Sequence, residues 1–373
     1  MIPVRPARYL VRMRALFVTS PGLGHNFPLV PTAWALRSAG HEVLFAAGGA
    51  ADRVAAAGLP AVDTAEGVNF AEVFGGYAPP PDATPLDIAG GLFARVSAEV
   101  VDSAVELGRR WHPDLVVYSG MQGAGPLLAA VLGVPAVNHE FSFAPLPAAL
   151  RVRIAEGLGD AYSRYGVRYA EPALTVAITA ASLEPEPREV ARIRPVAYNG
   201  GARLPEWLLE PPERPRIAVT LGSVLPAMAG LGALDGLLTA MGSVDAEFVL
   251  ALDGAEVGGL PPNARAVDWL PLNQLLPSCA AAVHHGGSGT TLAVLDAGLP
   301  SVIIPQGADQ FRNAELLDGC GAALVAEGDK VDAALLNRLL SEEPLRAGAG
   351  RLAAELHAQP APSTLVDQFA NLL

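Results

Sequence analysis

The chain has 373 residues, 51% of them hydrophobic and 17% charged, which suffices for about two domain cores and excludes a disordered protein. Its 25 basic and 38 acidic residues give a formal net charge of −13, so nucleic acid is not an expected partner because an acidic surface repels phosphate. Two cysteines cannot form a disulfide framework, and the apolar runs are too short to span a membrane. We expect a cytoplasmic protein with no stable membrane association.

The first half of the chain alternates between strands and helices. A continuous apolar run at 15–19 predicts a strand buried on both faces, and a Gly-rich turn at 20–25 leads into a helix that ends at Gly40. Further strands are predicted at 42–47, 114–118 and 135–138, with a helix at 127–132 before the last of them. This alternation predicts a parallel sheet covered by helices.

The second half repeats the pattern after a Pro-rich stretch at 201–215, which is typical of a linker. Strands are predicted at 216–221, 247–252, 264–268, 281–284, 301–304 and 322–325, and helices near 231–241, 289–297 and 313–317. We therefore predict an α/β fold with two Rossmann-like domains, residues 1–200 and 216–358, whose parallel sheets face an interdomain cleft. Ligands are expected at the carboxyl ends of the strands.

The turn after the first strand is spaced like a dinucleotide-binding loop, Gly22-x-Gly24-x-x-Phe27. Phe27 stands where that loop needs a third glycine for close helix–strand packing, which argues against a nicotinamide cofactor. His25 lies at the carboxyl end of the strand, where its imidazole can face a ligand. A solvated histidine at a helix start is an equally good interpretation.

A second turn, His284 to Thr291, follows a predicted strand and opens a predicted helix. Its Gly-rich backbone exposes N–H groups, and Ser288 and Thr290 add hydroxyls, a combination that suits a pyrophosphate. Asp309 and Gln310 begin the next helix and offer acceptors and donors to sugar hydroxyls. An ordinary helix cap would explain Gly289 but not the whole cluster.

These residues carry a resemblance to a known family. The motif His285-Gly286-Gly287-x-Gly289-Thr290, followed by Gly298-x-Pro300 and Asp309-Gln310, resembles the donor-binding region of family-1 GT-B glycosyltransferases. The stretch from Leu16 and the segment 268–272 also fit that family, so the similarity spans nearly the whole chain. It is closest to actinobacterial enzymes that decorate antibiotics and other natural products, including the calicheamicin glycosyltransferases.

The resemblance implies a role for each matching residue. His25 matches the catalytic base, Asp309 and Gln310 match the sugar contacts, and Trp269 and Leu270 match the nucleobase position. The diphosphate site is matched by His285, Gly286, Gly287, Ser288, Gly289 and Thr290, together with Gly222 and Ser223. By analogy, the tail at 359–373 forms a C-terminal helix that packs back on the first domain.

One position departs from the family pattern. Many relatives have an aspartate after the strand at 114–118 that orients the catalytic histidine, and this chain has Ser119 there. A carboxylate fixes the tautomer and stabilises the imidazolium, whereas a serine does the first weakly and the second hardly at all. His139 and Glu140, at the end of the next strand, are candidate substitutes. The sequence favours the other interpretation, that they are ordinary polar residues that line the cleft.

The resemblance implies an inverting glycosyltransferase that moves a deoxysugar from a nucleoside-diphosphate sugar to a hydrophobic aglycone of polyketide, enediyne or aromatic type. The chain contains no Asp-x-Asp, so no metal site is predicted, and the nucleotide sugar is a co-substrate rather than a cofactor. Apolar Leu270 and Leu272 suit the methyl group of thymine, which favours dTDP over UDP.

The acceptor pocket is expected in the irregular stretch at 66–95. Its predicted lining residues are Tyr77, His139, Glu140, Phe141 and Phe143, although aromatic core packing would give the same pattern. Two other functions stay open: a non-catalytic nucleotide-sugar-binding auxiliary protein, which Ser119 favours, and a sugar-nucleotide epimerase, which would need a pair of catalytic carboxylates. The oligomeric state is also open, a homodimer included.

Overall fold

The computed structural model describes residues 12–184, 186–222, 232–252, 254, 257–307 and 309–373. The chain divides into two compact units. The first unit comprises the described residues up to His139, together with Pro147–Val176 and Pro362–Leu373. The second unit comprises Glu140–Leu146 and Ala177–Ala361.

The first sheet has seven strands, namely β1 (Arg14–Thr19), β2 (Glu42–Ala47), β3 (Ala61–Asp63), β4 (Leu115–Ser119), β5 (Ala136–His139), β6 (Leu174–Ala177) and β7 (Ala191–Arg192). Their order is β3-β2-β1-β4-β5-β6-β7, and neighbours from β3 to β6 are parallel. Strand β1 is central and almost wholly buried, and the Phe17 ring stacks on Phe45 of β2 at 4.7 Å. The carboxyl ends of β1, β4 and β5 therefore lie side by side.

The second sheet has six strands, namely β8 (Arg216–Thr220), β9 (Glu247–Ala251), β10 (Ala264–Val267), β11 (Ala281–His284), β12 (Ser301–Ile303) and β13 (Ala323–Val325). Their order is β10-β9-β8-β11-β12-β13, and all neighbours are parallel. Alternate residues of β8 enter opposite cores: Ile217 and Val219 pack in one cluster, and Ala218 packs in the other. Burial on both faces of β8 explains why this strand is an apolar run after Arg216.

Helices cover both sheets. The helices of the first unit are Leu23–Asn26, Val30–Ser38, Ala51–Ala55, Phe70–Gly75, Pro85–Trp111, Ala124–Leu132, Ala148–Gly157, Gly159–Tyr165 and Leu365–Ala370. The described helices of the second unit are Asp235–Ala240, Leu272–Leu275, Ser288–Asp296, Gln310–Gly319, Ala333–Ser341 and Glu343–Ala358. The strands predicted from sequence agree with the structure to within two residues at each end, whereas β3, β6 and β7 were not predicted.

The prediction of an irregular stretch at 66–95 is wrong for much of its length. Residues 70–75 form a short helix, and the 27-residue helix Pro85–Trp111 begins ten residues before the predicted end. A capping box starts the long helix, because the Thr84 side chain accepts from the Asp87 N–H and the Asp87 carboxylate accepts from the Thr84 N–H. The sequence Thr84-Pro85-x-Asp87 was therefore an available helix signal.

The division into units differs from the predicted domain boundary at residue 200. Residues 140–146 and 177–200 belong to the second unit, where the Thr179 hydroxyl donates to the Ser142 and Phe143 carbonyls. The predicted linker is also part of this unit, since Leu208 is buried in its core. Residues 362–373 belong to the first unit, where the terminal helix Leu365–Ala370 contacts Val30–Ser38.

Candidate active site

His25 lies in a turn that buried hydrogen bonds hold in place. The turn starts at Gly22, whose φ of 96° favours glycine, and continues into the short helix Leu23–Asn26. The fully buried Asn26 accepts from the Thr19 hydroxyl at 2.6 Å through Oδ1 and donates through Nδ2 to two carbonyls of the turn. The backbone that presents His25 is therefore fixed by its sequence neighbour.

Gln122 holds the same turn from the side of β4. Its Nε2 donates to the Thr19 carbonyl and to the Ser20 hydroxyl, both at 3.3 Å, and its Oε1 accepts from the Ala124 N–H at 2.9 Å. Sequence reasoning missed both buried amides, although each is a polar residue in a Gly-containing turn that follows a strand. Together they make the turn a rigid support.

The imidazole of His25 is half-buried beside an aromatic ring. The ring centroid of Phe93, on the helix Pro85–Trp111, lies 5.6 Å from that of His25, with 48° between the ring planes. Sequence reasoning missed Phe93, because it was assigned to an irregular segment. A histidine with an apolar wall and partial solvent access is suited to exchanging a proton with a substrate.

Ser119 does not act as the hydrogen-bonding partner of His25. It is fully buried at the end of β4, and its hydroxyl makes no hydrogen bond with any residue that the structure describes. Ser119 therefore lies at the expected edge of the sheet, but its hydroxyl does not form a hydrogen bond with His25. A hydroxyl is shorter than the carboxylate that it replaces.

The two candidate substitutes for the missing carboxylate are occupied elsewhere. The fully buried His139 pairs through Nε2 with the Thr32 hydroxyl at 2.9 Å. Glu140 is fully buried and forms a bidentate ion pair with Arg188, at 2.6 and 3.0 Å. A buried carboxylate needs such a partner, so each residue has a structural contact, and a role in orienting His25 stays a prediction.

The predicted acceptor residues are mostly interior. Phe141 and Phe143 are buried, the latter completely, in the second unit. The Tyr77 hydroxyl packs on Gly91 of the long helix, at the place where a side chain at that position would lie. Phe93, two residues further on, projects about 200° away around the same helix. Of these aromatic residues, Phe93 is therefore the one that the structure places beside His25.

His285, which follows β11, lies between the backbones of two glycines. Gly222 follows β8, and Gly287 follows β11. A Cβ atom at Gly222 would lie 2.8 Å from Cε1 of the imidazole, and one at Gly287 would overlap Nε2. The next glycine, Gly286, has a φ of 88°, and its N–H donates to Nδ1 of His284 at 3.1 Å. The close approach of the imidazole therefore requires glycine at positions 222 and 287, which is a stronger reason than turn formation alone.

Both histidines of this loop are neutral at pH 7. Burial lowers the pKa of His285 to about 4, although the Asp309 carboxylate and a backbone hydrogen bond to Thr220 oppose the shift. Burial and the neighbouring His285 lower the pKa of His284 to about 3. A neutral imidazole offers one donor and one acceptor in a fixed orientation, which suits binding rather than proton transfer.

The helix Ser288–Asp296 begins immediately after Gly287. Its first residues, Ser288, Gly289 and Thr290, have backbone N–H groups without partners inside the helix, and no side chain caps this end. Gly289 is exposed and has open space beside it, and Thr290 is half-exposed. This end of the helix therefore offers N–H donors and a favourable dipole to an anion.

The Ser288 hydroxyl belongs to a network inside the protein. It donates to Oδ2 of Asp309 at 2.6 Å and accepts from the Phe143 N–H at 2.9 Å and from Nδ2 of Asn313 at 3.2 Å. Asn313, on the helix Gln310–Gly319, is fully buried and was missed by sequence reasoning. Its spacing of four residues from Asp309 was the available signal, because residues i and i+4 share a helix face.

The remaining predicted donor residues are in the second unit. The half-buried Trp269 donates through Nε1 to the Asn199 carbonyl at 3.1 Å, and its indole packs on Gly200. Leu270 is buried in the core, and its contact with a nucleobase stays a prediction. The buried Gln310 accepts through Oε1 from the Gln306 N–H at 2.8 Å, and Ser223 lies outside the described residues.

The described part of the chain contains neither a candidate metal site nor a candidate membrane-spanning helix. Among those residues there is no group of three or more His, Cys, Asp or Glu side chains that could hold a metal ion. Within the same ranges, no helix has both the length and the apolar character needed to cross a membrane.

Comparison with known proteins gives the family. Residues 34–222 match the N-terminal domain of erythromycin biosynthesis protein CIII-like proteins, and residues 235–372 match their C-terminal domain. The elloramycin glycosyltransferase of Streptomyces olivaceus is 40% identical over 375 residues, which cover 94% of this chain and 95% of that protein.

Solved structures agree in fold. The glycosyltransferase SnogD of Streptomyces nogalater is 42% identical, with a TM-score of 0.90 over 97% of this chain and 99% of that one. The glycosyltransferase SsfS6 of Streptomyces sp. SF2575, complexed with thymidine diphosphate, is 30% identical, with a TM-score of 0.86 over 96% and 100%.

These relatives confirm the predicted GT-B fold and the predicted class of enzyme, but they do not specifically indicate the calicheamicin enzymes. The relatives are glycosyltransferases, so the epimerase and the non-catalytic binding protein are not retained. This chain belongs to the erythromycin CIII-like family and is a GT-B glycosyltransferase of antibiotic biosynthesis.

Proposed function

We propose that the enzyme transfers a deoxysugar from a thymidine-diphosphate sugar to a hydrophobic aglycone, with inversion at the anomeric carbon and without a metal ion. The observation that carries this proposal is the loop at 284–290. A neutral, buried His285 is clamped beside the open first turn of a helix, which is an arrangement suited to a diphosphate. The thymidine diphosphate in the SsfS6 structure supports this choice of nucleotide.

The diphosphate leaves with its negative charge near fixed donors. Backbone N–H groups of Gly289 and Thr290 and the helix dipole stabilise that charge, and His285 adds one imidazole hydrogen bond. These donors are already in place before the substrate binds, so little reorganisation is needed when the bond breaks. They replace the divalent cation that other transferases use for the same purpose.

His25 acts on the acceptor. Its imidazole accepts the proton of the attacking acceptor group while that group forms its bond to the anomeric carbon and the diphosphate departs from the opposite side. A single displacement of this kind inverts the anomeric configuration. General-base catalysis contributes about 10²–10⁴-fold, and the rest of the acceleration comes from positioning and from stabilisation of the leaving group.

Position 119, where the family resemblance implies an aspartate, holds a serine whose hydroxyl makes no hydrogen bond with the described residues. The imidazolium is therefore stabilised less than in a His–Asp pair, which suits an acceptor whose nucleophile is acidic, such as a phenol. The ring of Phe93 beside the imidazole is an apolar surface that favours a flat aglycone.

The nucleotide is tested by a thermal-shift series with thymidine, uridine and guanosine diphosphates and NAD⁺. A ligand at 100 times its Kd adds about 2.7 kcal/mol and raises the Tm by a few degrees. We expect this response to thymidine diphosphate only. A response to uridine diphosphate alone would overturn the donor, and a response to none would overturn the assigned site.

The stereochemistry is tested on the product. With an α-linked donor, proton NMR of the product is expected to show a β linkage from the anomeric coupling constant. An α linkage would contradict single displacement. Turnover that disappears on dialysis against EDTA and returns with Mg²⁺ would contradict the metal-independent mechanism.

A further inference from the structure

We propose that Ser288 and Asn313 are positioning residues for the donor sugar: they fix the carboxylate of Asp309 and do not bind the diphosphate through their side chains. This inference rests on the proposed function, because it takes Asp309 as the residue that contacts the sugar. It changes the role that the sequence motif predicts for Ser288, from a ligand of the diphosphate to a support for its neighbour.

The Ser288 hydroxyl has no capacity left for a phosphate oxygen. A serine hydroxyl has one hydrogen to donate and two lone pairs. The hydrogen, which is what a phosphate oxygen would need, is donated to Oδ2 of Asp309. One lone pair accepts from the Phe143 N–H, and Asn313 Nδ2 shares its two hydrogens among the Ser288 hydroxyl, Oδ2 of Asp309 and the Gly286 carbonyl. Binding a phosphate would require one of these buried hydrogen bonds to break.

Asn313 joins the diphosphate loop to the same carboxylate. Its Nδ2 donates to the Gly286 carbonyl at 2.8 Å and to Oδ2 of Asp309 at 3.0 Å. One buried amide therefore sets the distance between the loop that carries His285 and the residue that begins the next helix. The carboxylate is held by two donors that solvent does not reach.

The orientation of Asp309 is unusual for its position. It is the N-cap residue of the helix Gln310–Gly319, yet its side chain makes no capping hydrogen bond. Asp332, the N-cap of Ala333–Ser341, shows the ordinary arrangement, since its Oδ1 accepts from the Leu335 N–H at 2.8 Å. The Asp309 side chain is thus diverted from its own helix to Ser288 and Asn313.

The orientation of the Asp309 side chain leaves its second carboxylate oxygen as an acceptor for a sugar hydroxyl. Both hydrogen bonds go to Oδ2, and Asp309 is exposed. The second oxygen of the carboxylate has two lone pairs that suit a sugar hydroxyl. Because the plane of the carboxylate is fixed by its Oδ2 contacts, the position of the second oxygen is fixed as well.

The test separates the sugar contribution from the diphosphate contribution. We would measure, by calorimetry without acceptor, the Kd of thymidine diphosphate and of a thymidine-diphosphate sugar for the variants Ser288→Ala, Asn313→Ala and Asp309→Asn. We expect the first two to weaken the nucleotide sugar about 10-fold, which is the scale of a lost hydrogen bond to a charged group. The Kd of thymidine diphosphate is expected to change less than about twofold, which also shows that the variants are folded.

A double variant decides whether Ser288 acts through Asp309. In the Asp309→Asn background, Ser288→Ala is expected to have no further effect on the affinity for the nucleotide sugar, because the two residues form one unit. Asn263→Ala is a matched control. Asn263 also donates through Nδ2 to three acceptors in the second unit, so the control loses stability but keeps both Kd values.

Three results would overturn the inference, and they have different meanings. Equal weakening of thymidine diphosphate and the nucleotide sugar by Ser288→Ala would make Ser288 a ligand of the diphosphate. A full additional loss in the Asp309→Asn background would make Ser288 independent of Asp309. An unchanged nucleotide-sugar affinity in Asp309→Asn would remove the sugar contact, whereas failure of the wild type to bind thymidine diphosphate would reject the proposed function itself.

Discussion

The carboxyl ends of the two sheets each carry a histidine, and the two side chains have contrasting surroundings. His25 is half-buried beside the Phe93 ring, on a turn whose backbone is fixed by buried amides. His285 is 8% exposed, and its ring itself is fixed, between the backbones of Gly222 and Gly287. For His25, the backbone that carries the side chain is held rigidly. For His285, the imidazole ring itself is held rigidly.

The difference in burial between the two imidazole rings determines what each histidine can do. Burial lowers the pKa of His285 to about 4, so the ring stays neutral and serves as a hydrogen-bonding group of fixed direction. His25 has partial access to solvent and to a substrate, which a general base requires. We therefore propose that the same residue type serves catalysis in one unit and binding in the other.

The largest expected effect is on turnover. His25→Ala removes the proposed base, and we expect kcat to fall about 10²–10⁴-fold. The rate is measured by chromatography of the glycosylated product under saturating substrates. Phe27→Leu is a matched control on the same turn, expected to keep kcat within about threefold, since Phe27 has no proposed role in proton transfer. Turnover of His25→Ala at the wild-type rate would refute the assignment of the base.

The next effect is on nucleotide binding. Gly287→Ala places a methyl group against the His285 imidazole, so the ring must move, and we expect the affinity for thymidine diphosphate to fall at least about 10-fold. Gly350→Ala, in the helix Glu343–Ala358, is the control, because the space beside that exposed residue is open and it has no proposed role in binding. Calorimetric titration checks both variants. Equal affinities would show that the clamped position of His285 is not needed.

The two regions also differ in how far the sequence predicts them. The glycines and histidines of the second loop form a contiguous motif, so the sequence places them together after one strand and before one helix, as the structure does. Asn26 supports the first turn locally, but Gln122, which also supports it, and Phe93, which packs on His25, are about 100 and 70 residues away along the chain. Such contacts depend on strand order and helix rotation, which local patterns do not contain.

Within the second loop, the sequence does not decide between two chemically reasonable partners of one side chain. A serine hydroxyl beside a helix start suits a phosphate as well as a carboxylate, and only the position of Asp309 shows that the carboxylate takes it. Likewise, Leu270 and Phe143 are apolar residues that fit a ligand pocket or a core equally well. The structure buries both side chains, a property that the sequence pattern does not contain.

A smaller effect is expected on stability in acid. The pKa of His285 is lower in the folded protein than in the unfolded chain, so the unfolded state binds more protons between pH about 6.5 and about 4. The free energy of unfolding is therefore complete above pH 6.5 and declines as the pH falls towards 4, by about 3 kcal/mol at most from this residue.

Urea denaturation at pH 7.5 and pH 5 measures this decline. The variant His285→Asn cannot titrate, so we expect its stability to fall less between the two pH values than that of the wild type. His284, whose pKa is also lowered, continues to contribute to the decline in that variant. An identical decline in both proteins would contradict a buried, neutral His285.

The smallest expected effect is at Ser119. Its buried hydroxyl makes no hydrogen bond with the described residues, so Ser119→Ala removes a polar group that gains nothing from the fold. We expect kcat to stay within about twofold and stability to be equal or slightly higher. Steady-state kinetics and a thermal melt check this. A tenfold loss of kcat would restore Ser119 as an orienting group.

The division of labour between the two histidines is tested most directly by titrating thymidine diphosphate into His25→Asn and His285→Asn under identical conditions. The substituted side chain is polar in both variants, so the comparison isolates the position. We predict a wild-type Kd for His25→Asn and a Kd at least about 10-fold weaker for His285→Asn, the scale of one hydrogen bond to a charged group. Equal losses in both variants, or a loss only in His25→Asn, would contradict the account.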